Sequence, residues 1–232
     1  MTNGQVFYDA KNIPGNQNLS VIQWYDQSGN ARHLLRGVQT ETIQLRMESL
    51  TGGAIPSVHI TGGNYMYYQF SQTISSFTYA GFLDFSFTSS NPEEIDIGLL
   101  GVELSPGDAG HTTLIKNREG YKLLVTQGAS SNQLLYQDKG SVEGRLATCF
   151  QIAPNDRRFY LGDKVVASLN TQTSFDSYTS GRIGVGALRA YTGYYITPGT
   201  EFFEIWFFNI GMTSDRILNL MRNMTQTFAA KG

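Results

Sequence analysis

An arginine and three tyrosines fall close together in Leu188-Arg189-Ala190-Tyr191-Thr192-Gly193-Tyr194-Tyr195. Flat aromatic faces stack on the apolar faces of sugar rings, and a guanidinium beside them serves the ring hydroxyls. Arg189, Tyr191, Tyr194 and Tyr195 are therefore candidate ligand-binding residues. They sit on a loop between two expected strands, where a rigid scaffold presents binding groups. The same composition suits a loop that covers a sheet edge or meets a second copy of the chain.

Other reactive side chains are sparse. Cys149 is the sole cysteine, which excludes an internal disulfide and any cysteine-based metal cluster. Its setting, Leu146-Ala147-Thr148-Cys149-Phe150, is that of a small buried hydrophobe rather than a reactive thiol. Asp108 and His111 share a loop, but hard cations need several converging oxygens, so calcium is left open without a clear motif. His59 alternates with Val58 and Ile60 and is expected to face solvent on a half-buried strand. No metal site, cofactor or catalytic residue is assigned.

These groups must be positioned by strands and turns. The chain is organised around Val21-Ile22-Gln23-Trp24-Tyr25-Asp26-Gln27-Ser28-Gly29-Asn30-Ala31-Arg32-His33-Leu34. A short apolar run ends in an aromatic pair and gives way to a polar turn. Asp26, Ser28 and Asn30 can fold back onto the backbone, and Gly29 supplies a positive φ. Trp24 is expected to pin this turn from below as a buried anchor. Strands are expected over Gln5–Asp9, Tyr65–Phe70, Phe77–Phe87, Thr112–Lys116, Tyr121–Thr126, Gln133–Gln137 and Ala147–Ile152. Met66, Tyr68 and Phe70 share one strand face, and the aromatic density of Phe77–Phe87 implies burial on both sides. Turns are expected at Asn117–Gly120, at Asn155–Arg158 and at Gly162-Asp163. Leu34 to Leu50 shows no clear helical periodicity. Thr213 is the expected N-cap of a short C-terminal helix, with Asp215 in its first turn and Ile217, Leu220, Met221 and Met224 as its apolar stripe.

The stretch Trp24-Tyr25-Asp26-Gln27-Ser28-Gly29-Asn30, with His33 following, resembles the opening signature of laminin-G-like domains with the concanavalin A jelly-roll fold. The flavour is that of bacteriophage virion proteins and bacterial surface proteins. Further segments are similar to later landmarks of that family: Pro56–Met66, the hairpin Arg158–Ala167, Arg182–Gly186 and Thr200–Asn209. Together they run from about residue 21 to residue 224 in the expected order. The resemblance implies an all-β fold, an antiparallel two-sheet jelly-roll sandwich with a short C-terminal helix, over residues 1–232 as one domain.

Glu94-Ile95-Asp96-Ile97 resembles the start of the catalytic strand of jelly-roll β-glucanases, where a further glutamate completes the set. Here that position holds Gly98, or Leu99 if a bulge intervenes, and neither can transfer a proton. Glu103 is too far along a straight strand to substitute. Two-carboxylate glycoside hydrolysis is thus left without its second partner. Glu94 and Asp96 are read as solvent-facing strand residues and Glu204 as a structural hydrogen-bond acceptor.

Composition narrows the function further. Only 16% of the 232 residues are charged and the net charge is −2, which gives no electrostatic reason to bind nucleic acid or an anionic membrane. No apolar run is long enough to cross a bilayer, and the opening Met-Thr-Asn-Gly-Gln has no secretory signal pattern. The expectation is a non-enzymatic surface or structural protein of a virion: a capsid fibre, decoration or tail-fibre domain. Its expected partners are host-surface glycans or neighbouring virion proteins, and a homo-oligomer is compatible with this. The alternatives are a secreted, extracellular bacterial carbohydrate-binding domain and a degenerate glycoside hydrolase.

Overall fold

The computed structural model describes residues 5–9, 20–37, 43–50, 53–62, 64–85, 97–104, 110–117, 120–127, 130–134, 144–169, 180–186 and 197–229. In chain order the first strands are β1 (Gln5–Asp9), β2 (Gln23–Trp24), β3 (Leu34–Arg36), β4 (Gln44–Leu50), β5 (Gly53–Gly62), β6 (Tyr65–Phe70), β7 (Phe77–Phe85) and β8 (Ile97–Leu104). They are followed by β9 (Gly110–Asn117), β10 (Gly120–Gln127), β11 (Ser130–Leu134), β12 (Gly144–Ala153), β13 (Asp156–Leu161), β14 (Lys164–Leu169), β15 (Gly181–Gly186) and β16 (Thr197–Phe208). The helix α1 (Ser214–Ala229) closes the chain order.

Two antiparallel sheets result, as the sequence led us to expect. The first has the order β14-β13-β12-β7-β16-β5-β4, and the second β11-β10-β9-β8-β15-β6-β3-β2. One edge of β16 is shared: β5 pairs with its first half, Thr197–Phe202, and β1 with its second, Glu204–Phe208. Between the sheets lies a core that includes Trp24, Leu34, Val58, Ile60, Phe77, Tyr79, Leu100, Phe150, Phe159, Ile183, Phe202 and Phe207.

The expected burial of β7 on both sides has a clear cause. Phe77, Tyr79 and Leu83 enter the core between the sheets. Ala80 and Phe82, on the opposite face, meet α1 through Ile217, Met221, Met224 and Phe228. Small residues at Ala80, Ala147 and Cys149 let the helix approach the sheet, while Phe228 stacks on Phe82 with ring centroids 4.6 Å apart. Each such buried apolar side chain contributes about 1.5–3 kcal/mol. The expected stripe is thus correct, and Phe228 extends it by one more turn.

The helix is anchored at its start. Ile217 N–H donates to the Thr213 carbonyl at 3.1 Å, as an N-cap requires. Just before it, Met212 N–H donates to Gln151 Oε1 at 2.8 Å, and Ser214 Oγ accepts from Arg158.

One turn assignment differs from expectation. Asn155–Arg158 is not the turn: β12 and β13 are joined by Pro154-Asn155, with Asn155 at φ 60°. Asn155 tolerates the left-handed region that the two-residue connection demands. Arg157 instead belongs to β13 and is buried. Of the strand expected over Gln133–Gln137, Gln133 and Leu134 belong to Ser130–Leu134, in register with β10, and residues 135–137 lie outside the described residues. The Gly162-Asp163 hairpin forms as expected, with Leu161 paired to Lys164.

Candidate functional site

The organising turn is built as its side chains suggested. Trp24 is fully buried and Asp26 nearly so. Asp26 Oδ1 accepts from Ser28 N–H at 2.8 Å, and Oδ2 accepts from Ser28 Oγ at 2.9 Å and Arg32 N–H at 3.2 Å. Asn30 Nδ2 donates to Ser28 Oγ at 2.8 Å, and Asp26 N–H donates to His33 Nδ1 at 3.0 Å. Gly29 adopts φ 84°, where its missing side chain removes the steric penalty. The result is a rigid mount at the rim of the second sheet, with the Tyr25 ring edge-on to His33 at 5.1 Å.

That mount leads into an aromatic patch on the outward face of the second sheet. Trp24, Leu34 and Met66 point into the core, so strand alternation turns Gln23, Leu35, Tyr65 and Tyr67 the other way. Gln23 pairs with Leu35, and Leu35 with Tyr67. Leu35 and Tyr25 are exposed, at 48% and 39%. Tyr65 and Tyr67 lie 5.7 Å apart, and the Arg182 guanidinium sits 4.9 Å above the Tyr67 ring. Tyr65 also closes over Gly37: a Cβ there would sit 2.3 Å from the ring. Aromatic faces, an aliphatic side chain and a guanidinium are thus gathered on one surface.

A second constellation crosses the outward face of the first sheet. Backbone register places Gln44, His59, Glu201, Asp84 and Arg145 in one row across β4, β5, β16, β7 and β12. Glu201 is its hub. Ser57 Oγ donates to Glu201 Oε2 at 2.5 Å, Arg46 to Oε1 at 3.3 Å, and His59 Nδ1 contacts Oε1. Arg46 also donates twice to Gln44 Oε1, at 3.2 and 3.1 Å. At the other end Arg145 Nε donates to Asp84 Oδ2 at 3.0 Å, its guanidinium 5.8 Å from the Phe203 ring centre.

His59 corrects the expectation of a solvent-facing side chain, for it is only 6% exposed. Its direction, away from Val58 and Ile60, was right. Its burial follows because a neighbouring strand brings Glu201 against the imidazole. Sequence reading missed Glu201 altogether. The available signal was an acid standing directly before the apolar pair Phe202-Phe203, since a buried carboxylate demands partners.

In a hydrolytic triad the imidazole stands between carboxylate and hydroxyl. Here the carboxylate stands between imidazole and hydroxyl: Ser57 Oγ donates a hydrogen bond to Glu201 and does not meet the imidazole, so the order is not that of the triad. Glu204 is a hydrogen-bond acceptor as expected, taking the Trp206 indole N–H. Burial pushes the Cys149 thiol well above its usual range, which keeps it protonated.

Several sequence candidates fall outside the described residues: Arg189, Tyr191, Tyr194 and Tyr195, together with Glu94, Asp96 and Asp108. Next to the acidic pair, β8 carries a register irregularity between Gly98 and Leu100, and both Leu99 and Leu100 are buried. Among the described residues no three His, Cys, Asp or Glu side chains gather as metal ligands, and no helix is long and apolar enough to cross a membrane.

No family model matches the chain, and no curated protein matches it. Solved structures do. A Trypanosoma rangeli sialidase in complex with sialic acid superposes with a TM-score of 0.61 at 13% identity, over 98% of this chain and 34% of the sialidase. A structure of botulinum neurotoxin type C, whose cell entry depends on two ganglioside molecules, gives 0.62 at 8% identity, over 96% and 51%. The binding domain of botulinum neurotoxin serotype D/C gives 0.61 at 9% identity, over 94% and 51%. This chain therefore spans about a third to a half of the chains it matches. What the likeness establishes is a shared β-sandwich fold.

Proposed function

We propose that this chain is a non-enzymatic contact module whose ligands are host-surface glycans or neighbouring virion proteins, displayed on a virion as a fibre, decoration or tail-fibre domain. The observation that carries the contact role is the aromatic patch of Tyr25, Leu35, Tyr65 and Tyr67 with Arg182 above Tyr67. Tyrosine pairs an apolar ring with a polar tip, the combination used at wet recognition surfaces. Structural neighbours in complex with sialic acid, or entering cells through gangliosides, support the glycan branch. The virion setting rests on the sequence resemblance at Trp24–Asn30. A secreted bacterial carbohydrate-binding domain is the second reading, and the same patch favours it equally.

A glycan array with wild type, Tyr67→Ala and the double variant Tyr191→Ala/Tyr194→Ala tests this. The expected result is glycan binding that weakens about tenfold or more in Tyr67→Ala. Loss in the loop double variant alone would move the site to residues 188–195. Wild type that binds no glycan would remove the glycan branch and leave protein contact within an assembly. Gene neighbours encoding capsid or tail components would support the virion setting over the secreted one.

A further inference from the structure

The row on the outward face of the first sheet has unused hydrogen-bonding capacity, and its pattern is specific. His59 presents Nδ1 to Glu201 in a side chain only 8% exposed, which leaves Nε2 as the imidazole nitrogen turned from the carboxylate. Among the described residues Asp84 uses Oδ2 for Arg145 and leaves Oδ1 unused, and Arg145 uses Nε and leaves both terminal nitrogens. Among the described residues Gln44 uses its carbonyl oxygen twice and leaves its amide nitrogen. Along the row the unused atoms are therefore an amide donor, an imidazole acceptor, a carboxylate acceptor and a pair of guanidinium donors. Neighbouring strands are about 4.8 Å apart, so the five strands set these groups over about 19 Å.

Charge selects among ligands. Arg46 and Arg145 offset Glu201 and Asp84, so the row carries no surplus charge to draw an ion of either sign. Donors at both ends of the row with acceptors between them suit a molecule whose own groups are both, which is the property of hydroxyls. Asp84 Oδ1 and the Arg145 terminal nitrogens together match two adjacent hydroxyls, one donating and one accepting. Arg145 is held over Phe203 and against Asp84, and Glu201 fixes the imidazole. Groups already ordered lose little freedom on binding.

We propose that the row Gln44–His59–Glu201–Asp84–Arg145 is a binding strip for a neutral, polyhydroxylated chain such as a short uncharged oligosaccharide lying across the strands. It is a second site, on the opposite sheet from the aromatic patch, and does not depend on that patch.

The test is titration of the full chain with neutral malto-, cello-, laminari- and galacto-oligosaccharides, read by NMR shift perturbation and calorimetry. Wild type should bind at least one series. Asp84→Asn and Arg145→Gln should each weaken binding about tenfold or more, and Tyr67→Ala should leave it unchanged. Melting curves confirm that each variant is folded, and His59→Gln supplies an independent variant if either of the first two unfolds. Binding lost in Tyr67→Ala but kept in Asp84→Asn and Arg145→Gln would overturn the strip while sustaining the patch. Wild type that binds acidic glycans alone would also overturn the strip. A wild type blind to every one of these neutral oligosaccharides at millimolar concentration would overturn the strip and leave the patch to its own test.

Discussion

The Tyr79 hydroxyl donates to the Gly184 carbonyl oxygen at 2.7 Å, crossing the interior from β7 in the first sheet to β15 in the second. Apolar contact across the core also joins the sheets, but it is non-directional. This bond adds a directional tie between them within the core. Burial pushes the Tyr79 hydroxyl far above the ordinary phenol range, so it remains a donor. Tyr79→Phe keeps the ring among Phe150 and Phe207 and removes only the hydroxyl. Urea denaturation should show a loss of about 1–3 kcal/mol. A midpoint equal to wild type would mean the bond contributes nothing net.

The organising turn makes a second prediction. Trp24→Ala should cost about 3–5 kcal/mol, because a full indole leaves a sealed core position. Asp26→Ala removes the acceptor of three hydrogen bonds and should exceed the roughly 1 kcal/mol of a single one. Thermal melts of the two variants check both; near-wild-type stability in Trp24→Ala would contradict its role as the anchor.

Stability should fall at alkaline pH, and Cys149 is one identifiable cause. Its thiol is raised by burial in the folded state, so above the ordinary thiol range the unfolded chain has released a proton that the native chain retains. The unfolded state then binds fewer protons, and unfolding becomes easier as pH rises through and beyond that range. Each such proton contributes a slope of about 1.4 kcal/mol per pH unit. Cys149→Ala should flatten the stability profile by about one proton above pH ~9 and leave it unchanged near neutrality. In native wild type the thiol should resist a disulfide reagent and react once urea unfolds the chain.

Hydrolysis of β-glucans is expected to be absent. Gly98 and the buried Leu99 occupy the positions where a second catalytic carboxylate would follow Glu94 and Asp96. Release of reducing sugar by wild type, abolished in Glu94→Gln, would refute this and return the chain to the hydrolases.

Local chemistry was legible in the sequence, and pairing between distant strands was not. Asp26, Ser28, Gly29 and Asn30 carry their own instructions within a few residues, so the stapled turn could be read directly. The helix likewise shows its stripe at Ile217, Met221 and Met224 by spacing alone. His59 shows the limit. Alternation gave the face it occupies, but its burial depends on Glu201, whose sequence position is 142 residues later. The aromatic patch has the same character. Leu35, Tyr67 and Arg182 come from three separate segments, and register between β3, β6 and β15 brings them together. Arg157 was misplaced because Pro154-Asn155 could turn the chain two residues sooner than a cluster of polar side chains suggested.

The strand that joins the middle of the first sheet is also the last strand in the sequence. β16 pairs with β7 along one edge and with β5 and β1 along the other. During synthesis the β12–β7 pair and the β4–β5 pair can form early, yet each waits with an open edge until Thr197–Phe208 has emerged. Connections between partners so far apart in sequence fold slowly, and unpaired edges meanwhile invite pairing with other chains. Yield of soluble protein should therefore depend strongly on growth temperature and on chaperones, and a chain cut before β16 should aggregate rather than leave a smaller sandwich.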